Sequence, residues 1–523
     1  MKNYSFWNHP WSLSITAAIL LSLAFPPFDV AILQIPAFIF LFRIAAITVT
    51  TRRMIYFTYP GLVLWNLFTT YWLMMADITA GIAAILANAA LMLIPLWLAR
   101  KLFLSKMNPI LASFFAASFW VSYEFLHHNW DLAWPWLTLG NGWANLTGAI
   151  QYISVTGLLG VSFWVVFTSA LAYHYIVTNS KYLLYSTLLI FFAFPLLSVV
   201  ASIGGYGEQG DPVEVAIIQP NSDSYADHGG MDSIDDLIDK LLRMSGEVQT
   251  ENTDVIIWPE NAVDTGLTLD NRQVRRMQDS LQAWNTELIT GTGFIRYYDE
   301  EDAPALHRTT GGGQPYDFFN AAFHLQPSAP VDVYEKGRLV PVVERFPFLD
   351  FFHRLDVFNL VNWESLMGYG LGREANVFDV NGAHTPALIC YDSVFPGWVN
   401  QFVNNGADFI TIITNDGWWG DSAGHKQHFA YARLRAIEHR KWVARSANNG
   451  ISGIISPDGK VQLETEYWTE DAFTFTIYTS PQTTFYTRYG NWFAYLLLIS
   501  SIGGLIYFVV KRKDLAPESE DTL

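Results

Sequence analysis

Cys390 is the only cysteine in the 523-residue chain, and it lies where the apolar run Thr385-Pro386-Ala387-Leu388-Ile389 opens into the polar turn Tyr391-Asp392-Ser393. A lone cysteine cannot close an intrachain disulfide, which leaves a small buried hydrophobe or a nucleophile as its use. A thiol is mostly protonated at neutral pH and needs a base or a neighbouring cation to attack an acyl carbon. Glu260, just past the apolar stretch Val255-Ile256-Ile257-Trp258-Pro259, and Lys336, just past Val333-Tyr334-Glu335, are the residue types that could serve it. A desolvated carboxylate can take the thiol proton, and an ammonium can neutralise the oxyanion of a tetrahedral intermediate. The backbone N–H of Tyr391 could donate to the same oxyanion. Taken singly, Glu260 could equally cap a turn and Lys336 could be a solvated side chain.

The elements that must position these groups alternate short apolar strands with amphipathic helices. Strands are expected over 213–219, 254–258, 288–294, 321–325, 331–334, 386–390 and 409–414, the fourth and fifth forming a hairpin around Pro327. Ile234, Leu237, Ile238, Leu241 and Leu242 have helical spacing, and a long helix begins near His425. This alternation predicts an α/β layered domain with its chemistry-bearing residues at strand ends.

The rest of the chain is of another kind. With 51% hydrophobic and 16% aromatic residues against 15% charged, the composition is too apolar for an ordinary soluble enzyme. Stretches of the ~20 residues needed to cross a bilayer are expected near 11–27, 31–50, 56–75, 80–98, 110–127, 153–177, 182–203 and 492–510. The expected organisation is a transmembrane domain of seven spans over 1–210, a catalytic domain over 211–482, and a last span with its tail over 483–523. A net charge of −17 disfavours nucleic acid as a partner, since phosphate binding needs a basic surface.

Lys2, Arg52, Arg53, Lys101, Lys106, Lys181 and Lys511-Arg512-Lys513 fall at span ends of one parity, which predicts both termini inside and the catalytic domain outside. Arg43 and Arg488 do not follow this parity. The first apolar stretch ends in Pro26-Pro27 and not in a small-residue cleavage site, so it reads as a retained span. An unpaired thiol outside the cytoplasm, where cysteines ordinarily pair, favours a chemical use. Trp130, Trp134 and Trp136 suit an interfacial belt. Glu124, near the end of the fifth span, is a functional or a pairing group.

The order Glu260, Lys336, Cys390 resembles the nitrilase superfamily, and the flanking motifs resemble its membrane branch, the apolipoprotein N-acyltransferases. The matching stretches are Trp258-Pro259-Glu260, Tyr334-Glu335-Lys336-Gly337-Arg338-Leu339-Val340-Pro341 with Glu344, and Cys390-Tyr391. Thr414-Asn415-Asp416-Gly417-Trp418-Trp419-Gly420, Gln427-His428, Ala432-Arg433-Leu434-Arg435-Ala436-Ile437-Glu438 and Arg445-Ser446-Ala447-Asn448-Asn449-Gly450 follow. Phe25-Pro26-Pro27-Phe28-Asp29, Pro135-Trp136-Leu137 and Tyr486-Thr487-Arg488-Tyr489-Gly490-Asn491-Trp492 extend the likeness into the spans.

The resemblance implies a nitrilase-like α-β-β-α sandwich on an eight-span base, at the periplasmic side of a bacterial inner membrane. It implies acyl transfer from a phospholipid, typically phosphatidylethanolamine, to the α-amine of a diacylated apolipoprotein, with no cofactor and no metal. Glu260 would be the base, Lys336 the oxyanion stabiliser and Cys390 the carrier of the acyl group as a thioester. Glu344, Tyr391 and Asp392 would support them, and Trp418, Tyr225 and His228 would contact substrate. Asp392 departs from the glutamate usual after Cys-Tyr in the family. A monomer is expected.

Other readings fit less well. Gly420-Asp421-Ser422-Ala423-Gly424 matches a serine-nucleophile motif, but Ser422 lies seven residues past the expected strand end and not on a strand-to-helix turn. His425, His428 and His439 lack a carboxylate or cysteine at ligand spacing. Gly157-Leu158-Leu159-Gly160 suits close helix packing, and Glu518-Ser519-Glu520-Asp521 a solvated tail. A membrane-tethered amidase using water as acceptor, and a non-catalytic transporter or receptor carrying this domain, are the remaining alternatives.

Overall fold

The computed structural model describes residues 6–203, 210–355 and 366–511. Lys2, Arg512, Lys513 and the acidic tail lie outside them. The chain divides into two compact units, Met1–Gly205 with Thr484–Leu523, and Tyr206–Thr483.

The first unit is helical. Ile78–Phe103, Pro109–His127, Leu159–Thr178, Lys181–Ile203 and Trp492–Val510 are long and apolar enough to cross a membrane, whereas Pro10–Leu23 and Ala31–Ile47 are apolar but shorter. Thr51–Thr70 has the length, at 20 residues, but starts with Arg52 and Arg53 behind the cap that Thr50 provides. The span expected from residue 153 instead starts at Leu159. Gly157 breaks it with a φ of +69°, and a Cβ there would lie 2.5 Å from the Tyr486 ring, so this glycine serves close packing.

Several buried polar groups within this unit are bonded to one another, as a low-dielectric surrounding favours. Asn88 Nδ2 donates to Asn66 Oδ1 at 2.8 Å, and the Tyr123 hydroxyl donates to Asn88 Oδ1 at 2.9 Å. Glu124 is buried and accepts from Trp120 Nε1 at 2.9 Å and from the Leu139 N–H at 3.0 Å. Trp136 departs from the belt expectation: it is 1% exposed, with its ring centroid 4.8 Å from that of Trp72.

The second unit contains two large sheets. The first holds β1 (Pro212–Gln219), β2 (Val255–Ile257), β3 (Val263–Leu267), β4 (Glu287–Tyr297), β5 (Arg308–Thr309), β6 (Pro315–Leu325) and β7 (Asp332–Glu335). A hairpin, β8 (Phe378–Val380) with β9 (Ala383–Thr385), precedes the second sheet. That sheet runs in the order β10 (Ala387–Ile389), β11 (Ile410–Thr414), β12 (Val443–Ala447), β13 (Gly453–Ile455), β14 (Val461–Glu464). The last strand, β15 (Asp471–Tyr478), returns to pair antiparallel with β1, giving β15-β1-β2-β4-β6-β5 with β3 on β4 and β7 on β6.

β1, β2 and β4 are mutually parallel, as are β10, β11 and β12. Strands buried on both faces read as continuous apolar runs, which is why β1, β2, β4, β10 and β11 were visible in the sequence, whereas β12, with Arg445 and Ser446 in it, was not expected. The sheets meet through β1 and β12, where Ser446 Oγ donates to the Ile218 carbonyl at 2.8 Å. Helices Ile234–Val248 and Arg272–Trp284 cover the first sheet with Leu237, Ile238, Leu241, Met244, Val274, Met277 and Leu281. Helix Ala423–His439 packs on β12 and β13. The result is the α-β-β-α sandwich. β6 and β7 form the expected hairpin, but β6 starts at Pro315, six residues ahead of the expected 321.

Candidate active site

Parallel strands deliver functional side chains at their carboxyl ends, and four strand ends converge here. Glu260 lies past β2, Lys336 directly after β7, Cys390 directly after β10, and Asn415 with Asp416 directly after β11. Gly291 of β4 makes room for the first: a Cβ there would lie 2.5 Å from the Glu260 Cα.

Lys336 is 1% exposed, and its Nζ donates to Glu260 Oε1 at 3.1 Å and to Glu344 Oε1 at 2.8 Å. Asn320 Nδ2 donates to the same two oxygens at 2.8 and 3.3 Å. The second oxygens are also held, Glu260 Oε2 by the Asn415 N–H at 2.9 Å and Glu344 Oε2 by the Val340 N–H at 2.7 Å. Burial alone would lower the Lys336 pKa, but Glu260, Glu344, Cys390 and Asp392 raise it well above its ordinary value. The ammonium is therefore permanent at neutral pH.

Cys390 opens the single turn Cys390–Val394 with a φ of +48°. Burial pushes its thiol pKa well up, with Glu260 and Asp416 adding to the effect and Lys336 and the Thr414 hydroxyl opposing it. The resting group is thus a protonated thiol, and its proton must leave as the sulfur attacks, which calls for a base and not for a preformed thiolate. Tyr391 is buried, with its ring 4.9 Å from that of Phe395.

Asp392 makes its hydrogen bonds outside this cage. Its Oδ2 accepts from the Tyr334 hydroxyl at 2.8 Å and from the Ile389 N–H at 3.2 Å, and its Oδ1 accepts from the Arg338 N–H at 2.8 Å. The shorter carboxylate thereby ties the β10 turn to the segment carrying Lys336. Burial raises its pKa to about 6, against the pull of Lys336 and these bonds.

Trp418 and Tyr225 come together. Their ring centroids are 5.1 Å apart and the Tyr225 hydroxyl donates to the Trp418 carbonyl at 3.1 Å. The adjacent Ser224 donates to Asn415 Oδ1 at 2.7 Å, which ties the pair to the residue that binds Glu260. His228 is not part of this pair; its Nδ1 lies 3.3 Å from Asp264 Oδ1. Ser422 caps helix Ala423–His439, accepting from the Gly424 N–H at 3.1 Å, so it serves the helix start.

Three groups beside the cage had no assigned role. Asn320 lay outside the expected strand, one residue before its start. Tyr334 accepts from the Gly337 N–H and Trp398 Nε1, both at 3.2 Å, while donating to Asp392. His428 Nδ1 lies 2.9 Å from Asp416 Oδ1, and Arg445 Nη2 lies 2.7 Å from Asp416 Oδ2. Burial would raise the Asp416 pKa, but Arg445 and His428 hold it well below the ordinary carboxylate range.

The expected lack of a carboxylate or cysteine near the histidines does not hold for His428. A sulfur, a carboxylate oxygen and a ring nitrogen of Cys390, Asp416 and His428 lie within 4.8 Å of one another. The Arg445 guanidinium already occupies that carboxylate, and its charge opposes a cation there. His425 stacks on Tyr467 at 3.8 Å.

A protonated thiol beside a carboxylate and a permanent ammonium can perform nucleophilic acyl transfer. The family model described as carbon-nitrogen hydrolase matches residues 214–482, and that of the apolipoprotein N-acyltransferase N-terminal domain matches residues 17–171. The apolipoprotein N-acyltransferase of Chlorobaculum tepidum is 30% identical over 97% of this chain and 98% of its own length. That of Thermotoga maritima is 28% identical over 76% of this chain and 72% of its own. A solved CN-hydrolase superfamily protein from Xanthomonas campestris covers 51% of this chain and 91% of its own, with 18% identity and a TM-score of 0.37. On the breadth of the match across both units, the chain belongs to the apolipoprotein N-acyltransferase family.

Proposed function

We propose that this membrane-bound bacterial acyltransferase moves an acyl chain from a phospholipid, with phosphatidylethanolamine as donor, to the α-amine of diacylated apolipoproteins. The observation that carries this reading is the cage in which Lys336 bridges Glu260 and Glu344 beside the single thiol. The segment that carries Glu344 exposes Val342, Val343, Phe346, Phe351 and Leu355, apolar side chains suited to a lipid tail. Acyl chains leave a bilayer reluctantly, at about 0.8 kcal/mol per CH₂, so a helical unit able to span the membrane suits such a donor. The catalytic part, over 211–482, acts at the periplasmic face of the inner membrane, as a monomer.

In the first step Glu260 takes the Cys390 proton while the sulfur attacks the ester carbon of the lipid. The oxyanion forms against the Lys336 ammonium and the Tyr391 N–H. Collapse breaks the ester C–O bond, and Glu260 returns the proton to the departing lysolipid oxygen, leaving a thioester. In the second step the lipoprotein amine attacks the thioester carbon and loses a proton to Glu260. The C–S bond breaks and that proton restores the thiol.

The test is the mass of the Cys390 peptide after the purified full chain meets phosphatidylethanolamine vesicles without acceptor. One added acyl chain on wild type, absent in Cys390→Ser and formed far more slowly in Glu260→Gln, is expected. Adding a diacylated lipopeptide should then discharge the adduct into N-acylated peptide. Release of free fatty acid with no N-acylated peptide would instead identify a hydrolase.

A further inference from the structure

We infer that His428, held by Asp416 and Arg445, is a positioning residue that fixes the Cys390 turn so that the thiol stays in the cage. This rests on Cys390 being the nucleophile, as proposed above.

Cys390 has a side chain yet adopts a φ of +48°, a left-handed conformation that L-residues occupy under strain. Such a geometry persists only where surrounding groups over-determine it. Two groups hold the Cys390 carbonyl: Ser393 Oγ donates to it at 2.7 Å, and His428 Nε2 lies 3.2 Å from it. A carbonyl oxygen can only accept, so this contact is a hydrogen bond in the tautomer that carries its proton on Nε2, with Nδ1 then accepting from Arg445 Nη2 at 3.2 Å. Nε2 also lies 3.1 Å from Ser393 Oγ, which closes a triangle around that oxygen. The ring is committed to the backbone of the nucleophile, and the base position belongs to Glu260.

The ring is fixed from behind by separate elements. Asp416 follows β11, Arg445 lies in β12 and His428 lies in helix Ala423–His439. Thr414 Oγ1 donates to Asp416 Oδ1 at 2.9 Å, and Arg445 Nε donates to the Ile451 carbonyl at 3.1 Å. Asp416, His428 and Arg445 are each at most 1% exposed. Buried ion pairs contribute little net stability relative to well-packed apolar residues. Orientation of the strained turn that they surround gives this cluster a purpose that stability alone does not.

The experiment follows single-turnover acylation of Cys390 in detergent-purified full-length wild type, His428→Leu and His428→Gln, with phosphatidylethanolamine vesicles and mass detection. A displacement of about 1 Å at a reacting group costs about 100-fold in rate, and His428→Leu is expected to lose that much at saturating lipid. Its half-saturating lipid concentration should stay within about twofold of wild type, since lipid contacts are untouched. His428→Gln, whose amide N–H reaches the same carbonyl, should recover most of the rate.

Wild-type speed in His428→Leu would overturn the inference. So would a folded His428→Gln no faster than His428→Leu, an effect confined to half-saturation, or activity lost to a chelator and restored by zinc. Should His428→Leu fail to fold, Ser393→Ala removes the other donor; about tenfold slower acylation supports the inference, and unchanged acylation overturns it. Failure of wild type itself to acylate would count against the functional reading and not against this one.

Discussion

Replacing Lys336 by methionine keeps most of the side-chain volume and removes one charge from the centre of the site. Glu260 would keep the Asn320 amide and the Asn415 N–H, and Glu344 would keep Asn320 and the Val340 N–H, but neither carboxylate would retain a countercharge. Breaking a buried pair in this way costs about 3–5 kcal/mol. At about 2–4 °C per kcal/mol for a large domain, the unfolding temperature should fall by about 6–20 °C. Loss of an oxyanion partner should slow acylation of Cys390 by about 100- to 1000-fold.

Adding Glu344→Gln removes one stranded charge and should return part of the stability while leaving the rate low. The assays are thermal unfolding of the detergent-solubilised chain and single-turnover acylation by mass. The Lys336 pKa is raised on folding, so its contribution is fully present below the unfolded value near 10.5 and is lost only as pH rises toward its folded pKa. The stability gap between wild type and Lys336→Met should therefore be flat from about pH 6 to 9. A variant that unfolds with wild type, a gap that closes at neutral pH, or a double variant with its rate restored would refute this account of the cage.

Asp392 should behave oppositely with pH. Its pKa rises on folding from 3.8 to about 6, so the penalty for burying its charge is full above about 6 and is relieved as pH falls toward 3.8. Wild type should gain thermal stability relative to Asp392→Asn as pH falls through that window, while at neutral pH the asparagine costs about 1–3 kcal/mol by orphaning a buried N–H such as that of Ile389. Ser422→Ala should cost about 1 kcal/mol through the lost helix cap and leave thioester formation intact; loss of the acyl adduct there would restore the serine reading. Tyr225→Ala, which strips the partner from Trp418, should slow transfer to a lipopeptide by about tenfold and leave acylation of Cys390 unchanged, measured as separate half-reactions.

Much of this was legible in linear order. Buried parallel strands are continuous apolar runs, so the ends of β2 and β10 could be found, and the hairpin around Pro327 gave the end of β7, and with them Glu260, Cys390 and Lys336. The apolar stretches of the helical unit were equally plain, though not their limits: the helix expected from residue 153 starts at Leu159 because Gly157 packs against a tyrosine more than three hundred residues away. Trp136 looked interfacial because tryptophan favours interfaces, and only its packing on Trp72 shows it inside.

Asn320 was missed because the strand was expected to start at 321, although Phe318 and Phe319 already extend β6 ahead of it. Asp392 could be flagged as one methylene short, but its bonds to Tyr334, Ile389 and Arg338 depend on where β7 and β10 end in space. Asp416, His428 and Arg445 were visible only as members of the matching motifs, and the one chemical role weighed for His428 was metal ligation. Sequence alone pointed to residues that can do chemistry and to the main apolar strands and helices, because composition and periodicity act locally along the chain. Tertiary structure decided which polar groups meet, because pairing strands far apart in sequence sets the register at which a carboxylate, an amide or a ring nitrogen finds its partner.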